Sequence, residues 1–225
     1  MHMFNFLLCL ATSLSVLALP APTKDQSVAL LFTAATAVDR INLLNDTDFV
    51  FDFFNPTTDE VTAAGPDGRI VSAKRDTFPA LVDNGIAMTV GFLGPCGLNT
   101  PHFHPRAAEF NIAINGTVLA GFYAENDSRF VMNTVEPGQA TLFPRGAIHF
   151  EQNLGCDPVI FVAAFGDEDP GTSTVASNFF TLPSDIVGAT FGGLSTTEVE
   201  GLAGAIPKNV AYGRDECLAR CGLPR

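Results

Sequence analysis

The 225-residue chain contains no tryptophan and only two tyrosines, so its aromatic packing falls to 20 phenylalanines. It is equally poor in positive charge: 12 lysines and arginines stand against 24 aspartates and glutamates, a formal net charge of −12. No Lys/Arg-rich run interrupts that balance. An acidic surface repels nucleic acid and anionic lipid at long range, which argues against nucleic acid as a partner. Charged residues make up only 16% against 47% hydrophobic, a composition that folds rather than stays disordered. Several enzyme signatures are also missing: a glycine-rich phosphate loop, a His-Glu-x-x-His segment and a Ser-His-Asp order. Hydrolase and nucleotide-binding readings therefore have no support. No internal repeat is visible, and no linker is long enough to set off a second domain.

The longest apolar, nearly uncharged stretch lies at the amino terminus, from Phe4 to Leu19. It falls short of the roughly 20 apolar residues a bilayer span needs, and it carries the small residues Ala11, Ser13, Ser15 and Ala18. Residues 1–18 read as a secretory signal cleaved after Ala18, with no membrane span left in the mature form. The segment before the apolar run lacks Lys and Arg, and an uncleaved anchor is the alternative. Removing Cys9 with the leader leaves Cys96, Cys156, Cys217 and Cys221, an even number suited to an oxidising compartment. Four cysteines allow three connectivities. Cys217 and Cys221 are close enough in sequence to pair, which would leave Cys96 with Cys156; the alternative is that Cys96 and Cys156 are buried thiols. Asn45, Asn115 and Asn126 open glycosylation sequons, and Pro56 disqualifies Asn55.

Residues 19–47 form an extension in which Ser27 to Leu44 has helical apolar spacing through Val28, Leu31, Phe32, Ala35 and Val38. From residue 48 to 182 the chain alternates short Val-, Ile-, Phe- and Thr-rich runs with Gly, Pro, Asn and Asp, the pattern of an all-β sandwich or barrel. Phe49, Phe51 and Phe53 alternate, and a strand would set three rings on one face, as ordinary core or as a subunit contact. Asn115-Gly116 sits between two apolar runs and predicts a hairpin. Val159 to Phe165 is continuously apolar, as in a strand buried on both faces. Residues 183–225 turn helical: Ser184 is placed to cap a short helix, and Ser195-Thr196-Thr197-Glu198 is a capping box for a helix ending before Pro207.

Histidine is scarce as well, and its distribution is informative. After the leader only His102, His104 and His149 remain. Neutral imidazole is the commonest protein metal ligand. In a strand, His102 and His104 project from one face roughly 7 Å apart, with Phe103 turned away. Glu109 follows beyond Pro105, and a closed β fold is needed to bring His149 to the same centre. Three imidazoles and one carboxylate suit Mn, Fe, Co, Ni or Zn, and two open positions for water favour Mn or Fe over tetrahedral Zn.

These residues carry a family resemblance. His102-x-His104-x4-Glu109-x6-Gly116 and Gly138-x5-Pro144-x-Gly146-x2-His149-x3-Asn153 resemble the paired motifs of the cupin superfamily, specifically germins and germin-like proteins. Within that group the chain is most similar to the secreted spherulin-type relatives of fungi and slime moulds. The likeness covers about residues 70–170. It implies a double-stranded β-helix, or jelly-roll barrel, to which the helical patterns read above add short helices at both ends. It also implies one manganese ion (Fe2+ or another divalent metal being the alternatives) held by His102, His104, Glu109 and His149 in a secreted and often oligomeric protein. Cys96 replaces the glycine that usually opens the first motif. The oxalate-oxidising germins look to use two asparagines near the metal; Asn99 stands at one position, and Thr89 occupies the other.

Two functional classes follow as expectations. One is a redox enzyme of superoxide dismutase or oxalate oxidase type, acting on superoxide, oxalate or another small carboxylate, with Asn99 as a hydrogen-bond donor. The other is a non-catalytic cell-wall, spore-coat or stress protein whose metal stabilises the barrel. A small-molecule binding module in the barrel mouth ranks behind both. Arg106 and Arg145 are placed either to orient ligands or to pair with structural carboxylates.

Overall fold

A computed structural model describes residues 24–224, so the expected leader and Cys9 lie outside the described residues. Two short helices come first among the described residues, α1 (Lys24–Thr33) and α2 (Ala37–Asn42). They interrupt what the spacing presents as one helix, because the Thr36 side chain caps α2 by accepting the Asp39 N–H. Of the five apolar positions in that pattern only Leu31 is buried; Phe32 and Val38 are 50% and 64% exposed.

The strands follow as β1 (Val61–Gly65), β2 (Gly68–Ala73), β3 (Ala87–Leu93), β4 (Gly97–Phe103), β5 (Glu109–Asn115) and β6 (Val118–Tyr123). Next come β7 (Val131–Val135), β8 (Ala140–Phe143), β9 (Ile148–Asn153), β10 (Val159–Phe165), β11 (Ser173–Thr174) and, near the carboxyl end, β12 (Ala211–Tyr212). Between β11 and β12 lie α3 (Val175–Phe179), α4 (Ser184–Thr190) and α5 (Thr196–Ala205), and α6 (Asp215–Cys221) closes the chain. One sheet has the order β1-β2-β3-β10-β5-β8; the other runs β11-β4-β9-β6-β7, with β12 added beside β4. All pairings are antiparallel. This is the expected jelly roll. No helix of the described residues is long and apolar enough to cross a membrane.

Several local expectations change. Asn115-Gly116 does not make a hairpin: β5 pairs with β10 and β8, whereas β6 pairs with β9 and β7. The turn instead carries the chain from one sheet to the other. Gly116 takes a φ of 65°, and Asn115 stays with the first sheet by accepting the Ile160 N–H at 2.6 Å. Phe49 to Phe53 is not a strand either. Residues 46–49 form a 3-10 turn, and the Asp52 carboxylate accepts the N–H groups of Phe54 and Asn55, an arrangement that competes with strand pairing. Phe51 packs on Phe53 and Phe78 with ring centroids 4.7 and 5.5 Å apart. Strand β10 is buried on one face and half-buried on the other, because its outward side chains lie in an open sheet surface. The Ser195 capping box forms as read, while Pro183, not Ser184, occupies the N-cap of α4.

The cysteine pairing also differs from the expected one. Cys96 bonds Cys217 and Cys156 bonds Cys221, with Cα separations of 5.8 and 5.3 Å. Helix α6 turns both cysteines onto the barrel, so the local Cys217–Cys221 pair gives way to two long-range links. These tie the carboxyl terminus to the start of β4 and to the β9–β10 connection.

Apolar side chains fill the barrel in two clusters. One contains Ile70, Leu93, Phe161 and Phe165; the other contains Val118, Val135, Phe143 and Val159. Each cluster packs a ring against one of the histidines.

Candidate metal centre

Strand β4 supplies His102 and Asn99 to the barrel interior although they are three residues apart, which in a regular strand would send them to opposite faces. The register between β4 and β9 shifts between Asn99 and His102, and this bulge resets the alternation. His104 follows just beyond the strand end, and His149 sits on β9 in register with His102. Glu109 comes from the opposite sheet as the first residue of β5. The turn Pro144-Arg145-Gly146-Ala147 joins the two motifs: Gly146 adopts a φ of 76° and donates its N–H to the His104 carbonyl at 3.0 Å.

All four side chains are buried, and one ligand atom from each lies within 4.8 Å of the others. Glu109 Oε2 stands 3.1 Å from both His104 Nε2 and His149 Nε2. The opposite nitrogen of every ring is committed elsewhere. His102 Nδ1 donates to the Thr100 carbonyl and His149 Nδ1 to the Ala147 carbonyl, each at 2.8 Å, and His104 Nδ1 donates to the Gly171 carbonyl at 2.5 Å. A neutral ring that donates from Nδ1 presents a lone pair at Nε2. Two such Nε2 atoms face a carboxylate oxygen at hydrogen-bond distance, a contact that is favourable only when a proton or a metal ion lies between them. The donor set therefore fits a divalent metal ion.

Electrostatics agree. Burial, reinforced by the nearby His149 and His104, pushes the His102 imidazole down to about 3, so it stays neutral. Phe143 stacks on His149 at 4.3 Å and Phe165 packs on His104 at 4.7 Å, excluding water from the ring faces. Burial acts to raise the Glu109 carboxyl, but without a metal ion the hydrogen bonds and charge that His104 and His149 offer through a proton on Nε2 outweigh it and hold the group well below the usual carboxylate range.

A second buried carboxyl adjoins the first. Glu151 is wholly inaccessible, and burial together with the charge of Glu109 pushes it well above the ordinary range. It accepts Asn99 Nδ2 at 2.9 Å and Asn111 Nδ2 at 3.2 Å, and Asn111 also bonds Glu109 at 3.0 Å. Asn209, from just before β12, donates to Asn99 Oδ1 at 2.7 Å. Glu151, Asn111 and Asn209 escaped the motif reading. Glu151 and Asn111 each stand two residues after a predicted ligand on the same strand face, a signal that was present; Asn209 had none.

The centre opens into a cavity of about 650 Å³ lined in part by Thr89, Asn99, Ala163, Lys208 and Asn209. Arg106 takes no part in it: it pairs with Asp169 at 2.7 Å, leaving it the structural role. Arg145 is exposed at the β8–β9 turn and does not line the cavity. The sequon residues Asn45, Asn115 and Asn126 are all exposed.

Comparison with known proteins agrees with this architecture. A cupin family profile matches residues 54–199. Spherulin-1A of Physarum polycephalum is 46% identical over 89% of this chain and 80% of its own length. A putative germin-like protein 3-2 of Oryza sativa subsp. japonica is 33% identical over 68% of this chain and 69% of its own. A solved oxalate oxidase in complex with the substrate analogue glycolate superposes with a TM-score of 0.60 at 25% identity, covering 72% of this chain and 84% of that one. Its buried three-histidine, one-glutamate cluster thus sits in a chain that belongs to the cupin family, among the spherulins and germin-like proteins.

Proposed function

We propose that the protein is a secreted germin-like cupin that binds one manganese ion through His102, His104, Glu109 and His149 and acts as an oxidoreductase on a small anion. The observation that carries this reading is one buried carboxylate with two imidazole Nε2 atoms 3.1 Å from its Oε2 and a third imidazole in the same cluster, one ligand atom of each lying within 4.8 Å of the others. Two ligands at about 2.1 Å from an ion and at right angles lie about 3 Å apart. The 3.1 Å separations about Glu109 Oε2 are compatible with ligands that would share one such ion. When bound, the ion would supply a redox-capable Lewis acid.

The chain's own residues do the rest. The imidazoles are held in one tautomer by three backbone carbonyls, so no reorganisation is needed when an ion enters. Phe143 and Phe165 keep bulk water from the rings. Asn99 presents an amide at the cavity wall beside His102, placed to donate to an anion. Glu151, pushed towards its neutral form by burial and by Glu109, lessens the negative charge that would oppose an anionic substrate. The two disulfides and the similarity to germin-like proteins support an extracellular location.

The test is activity of the manganese-loaded protein. Peroxide production from oxalate establishes an oxalate oxidase, and superoxide consumption without oxalate turnover establishes a dismutase. A second reading rests on a different observation. Glu109 belongs to one sheet and the histidines to the other, so a bound ion staples the two sheets together. Loaded protein that is inert in both assays but loses protease resistance on chelation supports that structural role.

A further inference from the structure

We infer that Asn209, brought in by the disulfide-tied carboxyl-terminal segment, is a second carboxylate-binding amide of the metal site, paired with Asn99. The inference rests on the small-carboxylate form of the function proposed above.

It follows from a chain of hydrogen bonds whose direction is fixed at one end. The bulge in β4 frees the Thr100 N–H from its ladder partner, and a backbone N–H is a donor only. Asn209 Oδ1 accepts that N–H at 2.8 Å and also lies 3.1 Å from Thr100 Oγ1. The Asn209 NH2 group must therefore be the end that meets Asn99, 2.7 Å from its Oδ1. Asn99 Oδ1 is then the acceptor, which turns the Asn99 NH2 group to Glu151 Oε2 at 2.9 Å. No amide in the chain can flip without setting two donors or two acceptors face to face.

Each NH2 group carries two hydrogens, and the contacts named spend one of each. The remaining two belong to adjacent amides that line the same cavity as His102, His104 and Glu109. Lys208, exposed and next in sequence to Asn209, lines that cavity too. In a chain of net charge −12, these two N–H donors and the ammonium groups of Lys74 and Lys208 line the cavity alongside the carboxylates of Glu109 and Asp169, and they are the groups there suited to a carboxylate ligand.

The segment is held where it is by several independent ties. Strand β12 pairs with Leu98 and Gly97 of β4, Gly213 donates its N–H to the Cys96 carbonyl at 3.0 Å, and the Cys96–Cys217 bond fixes α6 behind them. Asn209 thus reaches the site from a distant part of the chain, on a rigid support.

The test uses the full-length, manganese-loaded protein and two matched probes, glycolate and its neutral counterpart glycolamide, with binding measured by calorimetry. Asn209→Asp keeps the acceptor for Thr100 but replaces the donor with a negative charge. It is expected to weaken glycolate by about tenfold or more relative to glycolamide, with metal content unchanged. Asn209→Ser, which also retains an acceptor but adds no charge, is expected to lower the same ratio by a smaller factor, and serves if the aspartate variant misfolds. Equal weakening of both probes in these variants, or no change in either, overturns the inference while leaving the carboxylate reading intact. Wild-type protein that binds neither probe overturns both.

Discussion

His102 and His149 face each other in register across β4 and β9 and are held in the same way: each Nδ1 donates to the carbonyl two residues earlier, at 2.8 Å. The strand backbone itself fixes both tautomers. The ring centroids are 4.2 Å apart, so each imidazole limits the other's movement. The fold itself therefore fixes the positions of both rings.

A ligand substitution should separate metal binding from folding. Outer-shell partners of metal ligands are worth 10–100-fold in affinity, so His149→Ala is expected to lose about 100-fold or more. At a free ion concentration of 100 times Kd, the wild type gains about 2.7 kcal/mol of stability and the variant almost none. Thermal melts with and without manganese measure the difference. Equal stabilisation of both proteins would sink the assignment of His149.

The metal-free protein should show an acid-side stability slope. The His102 value is pushed from about 6.5 in the unfolded chain down to about 3 in the fold. Between those values the unfolded state binds the extra proton, so stability is full above about 6.5 and drains as pH falls towards 3. Glu109, held low, acts in the same sense below about 4.5. Glu151, pushed up, acts oppositely: its contribution is full below about 4.5 and is lost as pH rises through its raised value. Glu151→Gln, which stays neutral, is expected to flatten the alkaline decline, and His102→Gln the slope between pH 4 and 6.5, in melts of chelated protein.

Peptide mapping without reduction should recover Cys96 joined to Cys217 and Cys156 joined to Cys221. Replacing Cys96 and Cys217 together by serine is expected to cost about 2–5 kcal/mol by denaturant titration. Because that link anchors the segment bearing Asn209, the variant should also bind glycolate more weakly. A recovered Cys217–Cys221 peptide would contradict the pairing.

Gly91 is a packing constraint rather than a turn. A Cβ there would stand 2.1 Å from the ring of Phe161, which is itself fully buried and opposite Gly91 in the β3–β10 register. Gly91→Ala is expected to destabilise the protein by about 1–3 kcal/mol, read as a shift in denaturation midpoint. An unchanged midpoint would show that the ring has room to move.

The four clustered side chains were legible because two short motifs hold every histidine after the leader, and strand alternation predicts which of them share a face. What the sequence hid depends on contacts between distant segments. Asn115-Gly116 has hairpin chemistry, yet the pairing of β5 with β10 decides where the chain goes. Cys217 and Cys221 look local, but α6 presents both to the barrel. Phe49, Phe51 and Phe53 alternate like a strand, but a 3-10 turn at residues 46–49 and the Asp52 carboxylate's hold on the Phe54 and Asn55 N–H groups bracket the stretch with turns. The bulge at Thr100 is equally invisible in a motif, although it alone lets Asn99 and His102 share the interior.

Elemental analysis of the purified protein, paired with a His104→Ala variant, tests the central claim most directly. One manganese or other divalent ion per wild-type chain, absent from a folded variant, is the predicted result. A wild-type chain that holds no ion after incubation with manganese, iron or zinc would contradict it.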